Sequence, residues 1–344
     1  MPRTVVLAFD KFRGSATAGE LAGAAASAAE AAGWQAVTVP LADGGEGSLD
    51  VLGGPNKVTT VPGPLGDPVE AGWRLEGREA FVEMAAASGL VLAGGAEGND
   101  AMLADTTGTG RLIATAIALG AQTVYVMLGG SATTDGGLGA IQAMPPAARL
   151  RGVDLVVACD VDTLFVDAAR VFGPQKGASP AQIELLTRRL QRLQQQYLDQ
   201  YGVDLSTLRG AGAAGGLAGG LVAVGGRLES GFEILAERAR LDEHLEGADL
   251  VITGEGYLDD ESFAGKVVGG VQRWAAAAGV PAVAVVGQVD GTTELPDGLQ
   301  VRSLAATYGL DDSMERTTEL VALQVREVLD GLTGGPDPSA QGRG

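Results

Sequence analysis

The chain has 344 residues, 46% of them hydrophobic and 19% charged, which is enough for two domains with well-sized cores and excludes a disordered chain or a small stapled scaffold. Forty-three acids against 24 bases give a formal net charge of −19, which repels phosphate backbones and anionic lipid heads, so neither nucleic acid nor a membrane is expected as a partner. One cysteine, Cys159, excludes an intramolecular disulfide, and one histidine, His244, excludes a zinc site of ordinary His/Cys composition.

In chain order, the run from Arg3 to Leu7 enters a strand without the long apolar core of a secretory signal, so a cytoplasmic location is expected. Val5 to Phe9 reads as the first strand, Thr17 to Ala32 as a helix and Ala36 to Pro40 as the second strand. The breaker cluster from Val61 to Pro68 then changes the texture, and Val69 to Met84 reads as two antiparallel strands around Glu76-Gly77. Ser179-Pro180-Ala181-Gln182 combines an N-cap, a proline at the first helical position and a Gln at N3. It opens a helix whose stripe Ile183, Leu186, Leu190, Leu193 and Tyr197 is core packing. His244 sits in an acidic helical surface, Leu241 to Leu245, and is expected to be solvated.

Near the carboxyl end, Ala248 to Thr253, Ala282 to Gly287 and Val301 to Ala305 repeat the strand pattern, with Lys266 to Ala278 as an intervening helix. Such alternation predicts an α/β fold. A Rossmann-like, mostly parallel-sheet domain is expected from residues 1–59 plus 241–332, with a second α/β domain inserted at 60–240 and a disordered tail at 333–344.

Four glycine-rich segments could present backbone N–H groups to a phosphate: Asp43 to Gly47, Thr106 to Gly110, Gly129 to Gly137 and Gly210 to Gly216. The third follows a strand, Thr123 to Leu128, and so lies at the carboxyl edge of a sheet, where α/β ligands bind. No Walker-type G-x-x-x-x-G-K-[ST] exists, because Asp260 and Val267 flank Gly265-Lys266 where glycine and a hydroxyl are required. Gly210 to Gly215 matches the dinucleotide fingerprint, which keeps an NAD(P)-linked oxidoreductase as an alternative. No convincing strand precedes it, however, and close helix packing or a non-Rossmann phosphate loop explains it better.

Only four of the 24 basic residues are lysine: Lys11, Lys57, Lys176 and Lys266. Lys176 and Lys266 lie beside glycine-rich or acid-bearing motifs, where a compact ammonium suits a transferring phosphoryl group; Lys57 reads as a surface residue. Asp10, Asp43, Asp135, Asp160 and Glu255 each follow an apolar strand or sit in a glycine turn, as suits oxygen ligands for Mg²⁺ or a base for a hydroxyl, and equally an N-cap or turn.

Taken together and in order, these segments resemble the bacterial D-glycerate kinase family, whose organic-acid catabolic members form 2-phosphoglycerate. The likeness rests on Asp10 to Ser15, Pro40 to Gly47, Gly63 to Gly66, Glu83 to Leu90, Gly108 to Gly110, Gly129 to Gly137, Ala158 to Val161, Phe172 to Ala178, Gly210 to Gly216 and Thr253 to Gly256. It implies a Rossmann-like domain, an inserted domain, and a cleft between them holding ATP-Mg²⁺ and D-glycerate. A homodimer is left open. Four departures stand out. The lysine of the family's Asp-Ser-Phe-Lys-Gly-Ser moves to Lys11, leaving Arg13. The stretch from Ala143 to Asp154 is short by roughly thirty residues. Asp162 to Asp167 replaces an Asn-Pro-Leu segment, and Glu261 stands where the pattern has Gln. The shortening either removes a peripheral loop or leaves one edge of the cleft incomplete, the latter fitting a non-catalytic nucleotide-binding relative.

The expected roles follow from phosphoryl-transfer chemistry. Gly129, Gly130, Ser131, Thr133, Thr134 and Gly136, with Gly212 and Gly215, bind ATP phosphates. Asp135, Asp160 and Glu255 hold Mg²⁺. Lys176 and Lys266 stabilise the transferring group, and Asp43 or Asp10 orients the substrate hydroxyl. Arg13 and the helix start at Gly108, Thr109 and Gly110 grip the substrate carboxylate.

Overall fold

The structure, a computed structural model, describes residues 2–333. The expected tail 333–344 lies outside them except for Thr333, which closes the helix Thr317–Thr333. The chain forms two compact units, one from residues up to Asp43 and from Leu235 onward, the other from Gly44–Ile234. The strands run β1 (Thr4–Phe9), β2 (Gln35–Thr38), β3 (Lys57–Pro62), β4 (Pro68–Glu76), β5 (Glu79–Glu83), β6 (Thr123–Met127), β7 (Asp154–Ala158) and β8 (Arg227–Glu229). They continue as β9 (Leu250–Gly254), β10 (Tyr257–Leu258), β11 (Ala282–Val286), β12 (Gln288–Val289) and β13 (Gln300–Ser303).

The first unit is built on a parallel five-stranded sheet in the order β13-β11-β9-β1-β2. Val5–Phe9 and all of β9 are buried, which is why these strands read as unbroken apolar runs: a central parallel strand is covered on both faces. Val5, Leu7, Phe9, Val283 and Val285 pack with Leu21, Val321 and Val325 from the helices Ala18–Ala31 and Thr317–Thr333. Ala284 and Val286 face the other way, onto Val268 of the helix Val267–Ala278. Helices therefore cover both faces, and the crossovers leave in opposite directions from β1 and β9. That divergence makes the β1/β9 pair the topological switch point.

Cap chemistry sets the helix starts. Thr17 forms a capping box with Glu20, so its helix begins at Ala18. The strand expected to reach Ala305 ends at Ser303, because the Ser303 hydroxyl accepts from the Ala306 N–H and opens the helix Leu304–Tyr308.

The second unit has a six-stranded sheet, β3-β4-β5-β6-β7-β8, antiparallel through β3, β4 and β5 and parallel from β5 to β8. The expected hairpin is β4–β5, closed by Gly77-Arg78 with Gly77 at φ +59°. Trp73, Met84, Leu112, Ile113, Leu217 and Leu221 fill its main core. The helix Pro180–Tyr201 buries Leu186, Leu190, Leu193 and Tyr197 around Phe165, as its stripe predicts, and Ile183 packs at the margin. Mostly parallel α/β architecture is thus as expected. Among the described residues no helix is long and apolar enough to cross a membrane.

The Ser179 hydroxyl accepts from the Gln182 N–H while Gln182 accepts in return from the Ser179 N–H. Ser179→Ala should cost about 1 kcal/mol, read as a lower urea midpoint at unchanged slope.

Candidate active site

In the first unit, three adjacent parallel strands deliver an acid each to the carboxyl edge. Val39 donates to Leu7 O and Leu41 to Phe9 O, both at 2.9 Å, so the segment after β2 runs beside β1 to its end before reaching Asp43. Asp10 follows β1, its N–H held by Gly254 O at 2.9 Å, and Glu255 follows β9. This is the switch point, where open α/β sheets bind ligands.

Burial pushes the Asp10 carboxyl up to about 7, helped by the charge of Asp43 and opposed by Lys11 and Lys266. Burial likewise pushes Glu255 up to about 7, against a hydrogen bond from Ser262 and with Asp10 adding to the rise. Two acids that feel each other share protons as a pair. One Glu255 oxygen, Oε1, is buried with no hydrogen-bond partner. Lys266 caps the helix Val267–Ala278 and keeps a quarter of its side chain exposed, its Nζ 3.1 Å from Glu261 Oε2. Burial works against its charge, but the hydrogen bond and charge of Glu261, with Asp259 and Glu255, hold its pKa above the usual lysine value. Arg13 is exposed on the tight turn that links Phe12 to Ala16 through Gly14 at φ +79°.

In the second unit, Glu83, Met127 and Ala158 stand abreast at the carboxyl ends of β5, β6 and β7. The loop after β6 has two halves: Gly129, Gly130 and Ser131 are accessible, whereas Ala132 to Gly137 are buried. Leu90 donates to Gly130 O at 2.7 Å and Ala132 to Ser88 O at 3.0 Å, fixing the accessible tip. A Cβ at Gly129 would collide with Gly45-Glu46, so glycine is required for the two loops to meet.

The buried half corrects several expectations. Thr133, Thr134 and Gly136 lie behind the tip and present nothing to an outside phosphate. Gly212 and Gly215 are packing glycines: a Cβ on either would strike the carbonyl of Leu164 or of Thr133, and no strand precedes them. Lys176 is 2% exposed, its Nζ donating to Thr133 O at 2.7 Å, and burial pulls its pKa down to about 7. Its ammonium stands on the inner side of the loop. Gly108, Thr109 and Gly110 are also buried, and a Cβ on Gly108 or Gly110 would meet Pro62 O or Ala140 O. They let the helix Thr107–Ala118 approach its neighbours.

The expected metal ligands of this unit have protein partners instead. Asp135, 1% exposed, accepts from Thr106 N–H at 3.0 Å, Thr106 Oγ1 at 2.8 Å, and the N–H groups of Gly137 and Gly139 at 3.1 Å each. Four donors fill a carboxylate. Asp160 accepts from the N–H groups of Gly231 and Phe232, at the start of the helix Gly231–Arg238. Among the described residues no three His, Cys, Asp or Glu side chains gather as a metal-ligand group.

The sequence matches the model of the glycerate kinase family over residues 5–148 and 144–332. The chain belongs to the glycerate kinase family. It is 38% identical over 293 residues to a glycerate 2-kinase of Escherichia coli K12, covering 74% of this chain and 77% of that one. Over 331 residues it is 38% identical to a glycerate kinase of Halalkalibacterium halodurans, covering 83% and 86%. A crystal structure described as a glycerate kinase 2 from Salmonella typhimurium LT2 superposes with a TM-score of 0.80 at 33% identity, covering 97% of this chain and 99% of that one.

Within this glycerate kinase family chain the two matched stretches meet at residues 144–148, inside the shortened connection. β6 and β7 still pair over Thr123–Met127 and Asp154–Ala158, so the shortening leaves the sheet whole. Asp162, in the replaced segment, pairs with Arg209 at 2.9 Å, and Phe165 fills the core. Sequence reading placed Thr106 only within a phosphate-facing segment, whereas its hydroxyl ties Asp135 to Ala140 N–H, and it passed over Asn99, whose partners lie 33 and 77 residues away. A threonine just before a helix start was the available signal for the first; nothing local marks the second.

Two outcomes follow from this geometry. Because the native pKa values of Asp10 and Glu255 are raised, the folded state holds extra protons between about pH 4 and 7, and the stability present below pH 4 is lost as pH climbs to 7. Asp10→Asn should therefore melt higher than the parent at pH 8, by about 2 kcal/mol, with the gap closing toward pH 4 in calorimetry. Gly108→Ala should cost about 2–3 kcal/mol by overpacking against Pro62, seen as a lowered urea midpoint.

Proposed function

We propose that this kinase transfers the γ-phosphoryl group of ATP to a hydroxyl of D-glycerate, giving phosphoglycerate, with 2-phosphoglycerate the expected product. The observation that carries this reading is the acid row Asp43, Asp10 and Glu255 at the sheet's switch point with Lys266 beside it, in a chain of the glycerate kinase family.

The roles redistribute accordingly. The accessible amides of Gly129, Gly130 and Ser131 bind phosphate oxygens. Lys266, partly exposed and held cationic by its acidic neighbours, offsets charge on the transferring group, and Asp43 orients the hydroxyl and takes its proton. Arg13, exposed on its turn, meets the substrate carboxylate.

A hard divalent cation suits Asp10 and Glu255, where a buried carboxylate oxygen lacks a partner, better than Asp135 or Asp160, whose oxygens already accept from backbone N–H groups. Bound Mg²⁺ supplies charge neutralisation at the nucleotide phosphates. The same reading includes a cytoplasmic place in organic-acid metabolism.

The purified protein should release ADP from ATP with D-glycerate, and phosphate placement in the product separates the 2- from the 3-isomer. Lys266→Ala should lower kcat by about 10²–10³-fold while the melting temperature stays near that of the parent. Nucleotide binding in calorimetry with no ADP release for any small hydroxy acid would overturn the catalytic reading and favour a non-catalytic relative.

A further inference from the structure

Two donors, half-buried Asn99 and buried Lys176, grip the glycine loop from its inner side. Asn99 Nδ2 donates to Ala132 O at 3.0 Å and to Lys176 O at 2.9 Å, and Lys176 Nζ donates to Thr133 O at 2.7 Å. Consecutive carbonyls immediately after the accessible tip are thus held by one bridged pair. Ser88 and Leu90 hold the tip itself through backbone bonds. Because each peptide unit is planar, fixing the Ala132 and Thr133 carbonyls also fixes the N–H groups of Thr133 and Thr134, so the chain is held where it leaves the tip.

We infer that Asn99 and Lys176 are positioning residues that anchor the carboxyl end of the Gly129–Ser131 tip, and that neither touches the substrate. The inference rests on the reading of that tip as a phosphate cradle. A buried amine is costly to charge: burial disfavours it, offset in part by the charge of Asp135 and by the Phe172 ring, whose centroid is 5.9 Å from Nζ. What the amine adds is a directed bond to Thr133 O. The surroundings have further polar capacity in reserve, since Thr133 Oγ1, Thr134 Oγ1 and Asn99 Oδ1 are buried without partners.

Lys176→Met, which keeps the stem and removes the donor, and Asn99→Asp, which keeps the shape and replaces the donor by an acceptor, test the inference. Amide exchange over residues 129–133 should speed up at least tenfold in both, while exchange in the rest of Gly44–Ile234 is unchanged and Lys176→Met melts no lower than the parent. The KM for ATP should rise about tenfold with the KM for glycerate unmoved. Unchanged exchange at 129–133 would overturn the inference, as would faster exchange throughout the unit accompanied by earlier melting. Exchange needs no turnover, so a parent protein that releases no ADP would refute the proposed function while the clamp is still decided.

Discussion

Parallel alignment of neighbouring strands is the constraint from which the site in the first unit follows. Parallel strands end at the same edge, so residues far apart in sequence arrive side by side whenever each immediately follows its strand. Asp10 and Glu255 do so on β1 and β9, and Asp43 reaches the same edge at the end of the segment that follows β2 beside β1. The result is a row of acids with too little water around it to keep all of them ionised, which lifts Asp10 and Glu255 toward neutrality. Such an arrangement is unfavourable for folding and suited to a cationic ligand, as expected where a site trades stability for function.

The second unit uses backbone instead of charge. Its loop after β6 can approach the loops at Gly45-Glu46 and Gly215-Gly216 only because side chains are missing at the points of contact. Ala214, Gly215 and Gly216 all take left-handed conformations inside the segment Ala213–Ala223, which turns the Gly215 carbonyl toward Gly136 N–H at 3.0 Å. Asp135 then fastens the far end of the loop to Thr106. Most of the glycines in this region are therefore structural, and Gly129, Gly130 and Ser131 remain accessible.

Family membership and the geometry agree on a kinase and differ in what they say about individual residues. Several motif positions that look like ligand contacts, Gly108 to Gly110, Gly212, Gly215, Asp135 and Lys176, are interior. A motif records where substitution is intolerable. Close packing of backbone against backbone is as intolerant as contact with a phosphate, so a glycine string alone does not distinguish them.

The sequence by itself determined the α/β class, the central strands β1, β9 and β11, the β4–β5 hairpin, the long helix after Ser179, and the acids that follow strands. Each is written in local pattern: unbroken apolar runs, a turn dipeptide, a capping box, the residue after a strand. Only the tertiary structure decided which half of the Gly129–Gly137 loop faces outward, that Lys176 lies beneath it, and that Asn99 joins segments 33 and 77 residues away. Burial and hydrogen-bond partnership depend on which distant segments pack together, and periodicity along one stretch of chain holds no information about its neighbour across the core.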